Sequence, residues 1–106
     1  MMNYFSYTMV FENREIHKRI EKGLGSKGKL RIIRELAKRP DSLLTKYALE
    51  KKTGIKPVDV RANLKSLVEI GWVVEHSYRI KKYQLNMEDE IVKETIDYMR
   101  KIKYLF

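Results

Sequence analysis

Residues 45–72, TKYALEKKTGIKPVDVRANLKSLVEIGW, decide the fold of this chain. Thr45 is placed to cap a helix over Lys46 to Lys52, because a hydroxyl just before a helix accepts from a backbone amide that the first turn leaves unpaired. Ala48 and Leu49 are its inward positions. Gly54 supplies the left-handed residue that ends such a helix at little steric cost. Pro57 opens the next helix at a position where its missing N–H costs nothing. Val60, Leu64 and Leu67 then recur at helical spacing, and the helix runs to Ile70, where Gly71 stops it. The stretch therefore predicts a short helix, a tight turn containing glycine and a longer helix.

Working outward on the N-terminal side, Ser26 is placed to cap a helix over Lys27 to Lys38 with Leu30, Ile33, Leu36 and Ala37 on one face, and Pro40 marks its end. Leu43 and Leu44 read as a short extended piece. Further upstream, Ile16, Ile20 and Leu24 predict an amphipathic helix over Glu12 to Leu24, ending near Gly23 and Gly25. On the C-terminal side, Trp72 to His76 and Ile80 to Leu85 are rich in aromatic and β-branched residues and predict a hairpin. Asn86, with Asp89 three residues on, is placed to cap a last helix carrying Ile91, Val92, Tyr98, Met99 and Ile102. The expected architecture is mainly α with a small β-hairpin. It forms one domain over 1–106, divided into an N-terminal segment 1–25, a core 26–86 and a C-terminal helix 87–106.

Composition excludes several function classes. The chain has 106 residues, 43% hydrophobic and 35% charged, which describes one soluble globular domain. No apolar run approaches the roughly 18 residues of a membrane span. Met1 to Phe11 is apolar and aromatic but carries neither a basic leader nor a small-residue cleavage pattern, so a cytoplasmic location is expected. The absence of cysteine removes disulfides, thiolate metal sites and cysteine nucleophiles. His17 and His76 lie far apart without partner motifs, so no metal site is expected. There is no glycine-rich phosphate loop, nucleophile motif or clustered His and carboxylate set, so neither an enzyme nor a cofactor is expected. Abundant Lys and Glu with a single Gln and four Asn would suit a hyperthermophile.

The net charge of +9 is concentrated. Lys27 to Lys82 holds fifteen Lys and Arg against six Asp and Glu, while the two flanks are close to balanced. A localised basic excess points to a polyanionic partner. The segment that carries it also carries the short helix, turn and long helix followed by a hairpin, which is a helix-turn-helix with a wing. In sequence it resembles the winged helix-turn-helix transcriptional regulators of bacteria and archaea, in particular the arsenical-repressor-like group. The residues carrying the resemblance are Leu24-Gly25-Ser26-Lys27, the turn Thr53-Gly54-Ile55-Lys56-Pro57, the stripe Val60, Leu64 and Leu67, the exit Glu69-Ile70-Gly71-Trp72-Val73, and Tyr83-Gln84-Leu85-Asn86.

The resemblance implies double-stranded DNA as partner and a homodimer. Burying Val60, Leu64 and Leu67 turns Lys56, Val58, Asp59, Arg61, Ala62 and Lys65 outward as groove candidates. Arg61 suits the two major-groove acceptors of guanine, whereas Lys56 and Lys65 suit phosphates. Asp59 favours the helix N-terminus or accepts from a cytosine amine, and Ala62 offers only an apolar contact, so base reading is expected to be sparse. Arg79, Lys81 and Lys82 on the wing suit the backbone or a minor groove, and Lys46 suits a phosphate. Lys27, Lys29, Lys51 and Lys52 are further phosphate candidates.

Phe5, Phe11, Ile16 and Ile20 at one end, with Ile91, Tyr98, Met99 and Ile102 at the other, are the expected dimer interface, since so much apolar material exceeds what a short monomer buries. Two other readings of the basic surface stay open: a winged-helix protein-interaction module that docks an acidic partner, and a nonspecific architectural DNA-binding protein. Sensing of a small organic effector at the aromatic ends also stays open, with no pocket identified.

Overall fold

Hydroxyl caps and left-handed glycines set the chain's turning points, and the sequence places most of them. In the computed structural model, which describes residues 17–105, residues 17–24 are helical (α1) and lead through a bend into α2, Lys27–Lys38. There follow β1 (Leu44–Thr45), α3 (Lys46–Thr53), α4 (Pro57–Glu69), β2 (Val73–His76), β3 (Lys82–Leu85) and α5 (Glu90–Lys101). Ser26 Oγ accepts from the Lys29 amide at 3.1 Å, and Thr45 Oγ1 accepts from the Ala48 amide at 3.1 Å. Gly54 closes α3 at φ 71°, and Gly71 follows α4 at φ 82°. The expected dimer residues Phe5, Phe11 and Ile16, and the predicted helix start at Glu12, lie outside the described residues.

Helices α2, α3 and α4 pack on one another in all three pairs. The strands form an antiparallel sheet in the order β1-β3-β2, with Leu44 opposite Tyr83 and Val73 opposite Leu85. The extended piece predicted at Leu43 and Leu44 thus becomes the third strand that ties the hairpin to the helices. This is a winged helix. Its core runs from Ile32, Ile33 and Leu36 through Leu49, Val60, Leu64 and Leu67 to Trp72, Tyr83, Leu85, Val92 and Ile96, all buried.

Three sequence expectations are corrected. The cap of α5 is Asp89, not Asn86: Asp89 Oδ1 accepts from the amides of Ile91 (3.0 Å) and Val92 (3.2 Å), while Asn86 Nδ2 donates to Gly71 O at 3.0 Å. The buried face of α2 includes Ile32, whereas Leu30 is only partly buried. The reason is that α2 is covered by α3, α4 and β3 together, and so buries a wider stripe than a one-sided amphipathic helix. Met99, expected at a dimer interface, packs into the core with Ile96 and Leu105. The chain after α5 turns back, through Lys103 at φ 64°, and Leu105 is buried.

One junction holds α1, the exit of α4, the return of the wing and the start of α5. Arg19 Nε donates to Ile70 O at 3.0 Å, and Arg19 Nη1 pairs with Asp89 Oδ2 at 2.9 Å. Trp72 Nε1 donates to Arg19 O at 3.2 Å, and the Asn86 amide donates to Trp72 O at 2.9 Å. Burial pushes the Asp89 carboxyl up. The hydrogen bond from Arg19, the amides of Val92 and Ile91 and the Arg19 charge outweigh this and leave it below its ordinary 3.8. Gly23 lets α1 close on the indole, because a Cβ there would lie 2.5 Å from Trp72 Nε1.

Two outcomes follow from this junction. Gly23→Ala gains about 1 kcal/mol of helix preference, but overpacking against a fixed, buried ring costs about 1–3 kcal/mol, so a net loss is expected. A raised thermal midpoint in that variant would overturn the packing argument. For Asp89, whose folded pKa is lowered, the stabilisation is complete above the ordinary carboxylate pKa and is lost as pH falls through the folded value. Urea titrations should therefore find Asp89→Asn destabilising by about 1 kcal/mol near neutrality, with the difference from the parent protein shrinking below about pH 4. A difference independent of pH would contradict the role of the Arg19 pair.

Candidate nucleic-acid interface

The buried stripe of α4 dictates what its other side offers. With Val60, Leu64 and Leu67 inward, Lys56, Val58, Asp59, Arg61, Ala62 and Lys65 are all exposed. Asp59 lies in the first turn of α4, where the helix dipole favours an anion. Arg61 and Lys65 point to the wing side and share a cleft of about 360 Å³ with Lys46 at the start of α3 and Lys81 on the wing. Leu64, Val68 and Tyr83 also line it, as do the carboxylates of Glu69 and Glu75. Four cations from three separate elements thus converge on one depression, although they are spread over residues 46–81 in sequence. Lys56, Val58, Asp59 and Ala62 remain on the open face of α4, outside that lining.

The wing that carries Lys81 is braced from its base. His76 Nε2 and Gln84 Oε1 are 2.9 Å apart, and Gln84 Nε2 donates to Pro40 O at 3.3 Å. The His76 and Tyr78 rings stack at 5.9 Å, and Lys82 Nζ lies 5.8 Å from the Tyr78 ring centre. Arg79 is exposed between the strands. Tyr83 Oη donates to Glu75 Oε1 at 3.1 Å, and Glu75 Oε2 lies 3.6 Å from Lys81 Nζ. Burial, then the hydrogen bond and the charge of Glu75, push the Tyr83 hydroxyl up to about 12. The Glu75 carboxylate thereby links the sheet interior to a cation on the cleft wall.

The remaining basic candidates separate by position. Lys29 Nζ donates to Lys22 O at 2.8 Å and so joins α2 to α1. Lys52 lines a different cleft, with Glu35, Lys38 and Arg39. Lys51 sits with its Nζ 5.4 Å from the ring centre of Tyr47. Sequence reasoning did not single out Tyr47 or Ile80, which are 66% and 64% exposed beside Lys46 and Lys81. The signal for Tyr47 was its place next to the inward pair Ala48 and Leu49, on the opposite side of a short helix.

Of the expected association residues, Ile20 and Ile91 pack partly against the core, while Tyr98 and Ile102 are exposed. Arg34 lies over the ring of Tyr104 at 5.7 Å. Among the described residues, no group of three or more His, Cys, Asp or Glu is placed to hold a metal ion, and no helix is long and apolar enough to cross a membrane.

No protein-family model matches the sequence, and no curated protein matches it. Among solved structures, the chain is similar to the crystal structure of the transcriptional repressor BigR from Xylella fastidiosa, with a TM-score of 0.69. The match covers 96% of each chain at 16% sequence identity. At that identity the likeness is one of fold, and it agrees with the winged helix built above from caps, turns and strand order.

The Glu75 contact has a direct readout. Replacing Glu75 with Gln removes both a charge and an ionised acceptor, so the Tyr83 hydroxyl is expected to ionise at lower pH than in the parent protein. Alkaline titration followed by tyrosine absorbance or ring NMR signals checks this; an unmoved high-pH transition would show that Glu75 is not the cause.

Proposed function

We propose that the protein is a DNA-binding transcriptional regulator that acts as a homodimer, with α4 in the major groove and the wing on the backbone or in the minor groove. The observation that carries the reading is the convergence of Lys46, Arg61, Lys65 and Lys81 on the α4–wing cleft. The confinement of the charge excess to Lys27 to Lys82 and the fold likeness to a transcriptional repressor support it. In this reading Arg61 reads a guanine through its planar fork, and Lys46, Lys56 and Lys65 meet phosphates. Arg79, Lys81 and Lys82 engage the strand beside the wing. Val58 and Ala62 give apolar contacts only, and Asp59 serves the helix dipole, so readout of sequence is sparse.

Self-association belongs to the same proposal. Tyr98 on α5 and Ile102 just after it expose apolar surface. A two-fold dimer built there would present two copies of α4 to successive turns of a duplex. The division of labour is a core at 26–86 that meets DNA and ends at 1–25 and 87–106 that associate. A cytoplasmic location fits this role.

Gel-shift titration over a salt series tests the reading. Affinity for duplex DNA is expected to fall with a log-log slope of several units, as for a dimer that neutralises about 6–10 phosphates. Arg61→Ala is expected to relax base preference in selection from a random pool, by about 1–3 kcal/mol at one position. Lys65→Ala is expected to weaken all duplexes alike and to lower the slope by about one. Absence of duplex binding at low salt would overturn the proposal.

A further inference from the structure

A second cleft, of about 560 Å³, lies between the start of α3 and the wing tip and is lined by Thr45, Lys46, Tyr47, Glu50, Ile80 and Lys81. Tyr47 and Ile80 are among the most exposed large apolar side chains of the described residues, at 66% and 64%, and neither contributes to the core. Lys51 Nζ, 5.4 Å from the Tyr47 ring centre, helps to hold that ring in place. Lys46 and Lys81 outnumber Glu50 among the charged lining residues, with Glu75 lying 3.6 Å from Lys81 Nζ, so the cleft combines apolar walls with two ammonium groups. Lys46 and Lys81 line this cleft and the α4–wing cleft alike, so the two are neighbours.

That alternation of cation and apolar surface matches a sugar-phosphate strand, in which charged phosphates alternate with the C–H edges of deoxyribose. An acidic protein segment would match the cations but gives no reason for two exposed apolar side chains between them. We infer that Tyr47 and Ile80 are DNA-contacting residues that pack against the deoxyribose edge of a strand whose phosphates meet Lys46 and Lys81. The inference rests on the DNA-binding reading and adds to it an apolar, sequence-independent contribution. Because apolar burial does not release counterions, this contribution is insensitive to salt, unlike that of the lysines.

The test measures duplex affinity across a salt series for the full chain and for Tyr47→Ala, Ile80→Ala, Tyr47→Phe and Lys46→Ala, with thermal midpoints recorded for each. Tyr47→Ala and Ile80→Ala are each expected to raise Kd about 5–10-fold at every salt concentration, with the slope unchanged. Tyr47→Phe is expected to bind as the parent does, and Lys46→Ala to lower the slope by about one. If Tyr47→Ala and Ile80→Ala bind duplex as tightly as the parent while Lys46→Ala is weakened, the inference fails and the DNA reading stands. If the parent chain binds no duplex at low salt, the DNA reading itself fails and the inference goes with it.

Discussion

The Arg19 junction ties the exit of α4, the root of the wing and the start of α5 to α1. A guanidinium that is mostly withdrawn from water must find acceptors, because an unpaired buried charge costs far more than a hydrogen bond returns. Arg19 finds the Ile70 carbonyl, at the end of α4, and the Asp89 carboxylate, at the start of α5. Its own carbonyl accepts from the Trp72 indole, at the root of the wing. Four elements therefore meet on one residue of α1. Arg19 Nη2 is the one buried side-chain nitrogen or oxygen among the described residues without a hydrogen-bond partner, which limits what the clamp returns.

The elements that sequence showed clearly are those written in local chemistry. Ser26, Thr45, Gly54, Pro57 and Gly71 each act on their own neighbours, so the bounds of α2, α3 and α4 could be read to within a residue or two. Asn86 and Asp89 compete for one role, and the choice between them is not local. Arg19, 70 residues from Asp89, draws the carboxylate to the cap, and the Gly71 carbonyl draws the Asn86 amide away. The extended piece at Leu43 and Leu44 was legible but its pairing was not, since Leu44 and Thr45 become a strand only when Tyr83 and Lys82 lie beside them. Ile32 and Met99 show the converse limit, because a hydropathy stripe tells which face is apolar but not how many neighbours cover it.

The candidate site was legible on α4 and only partly so elsewhere. A buried stripe fixes the opposite face by geometry, so the outward set from Lys56 to Lys65 followed from Val60, Leu64 and Leu67. The grouping of Lys46 and Lys81 with Arg61 and Lys65 needed the fold. So did the presence of Glu69 and Glu75 in that cleft, which lowers its net charge. Tyr47 and Ile80 were hidden by the general expectation that apolar residues belong to a core.

The burial of Trp72 has a practical consequence. It is the sole tryptophan of the chain and is fully enclosed at the meeting point of α1, α4 and the wing. Its indole N–H is held by the Arg19 carbonyl, and it lines neither of the two clefts beside the wing. The protein therefore carries a built-in optical probe at the junction between α1 and the wing. A change in emission wavelength would report loosening of that junction, unobscured by signal from any other indole.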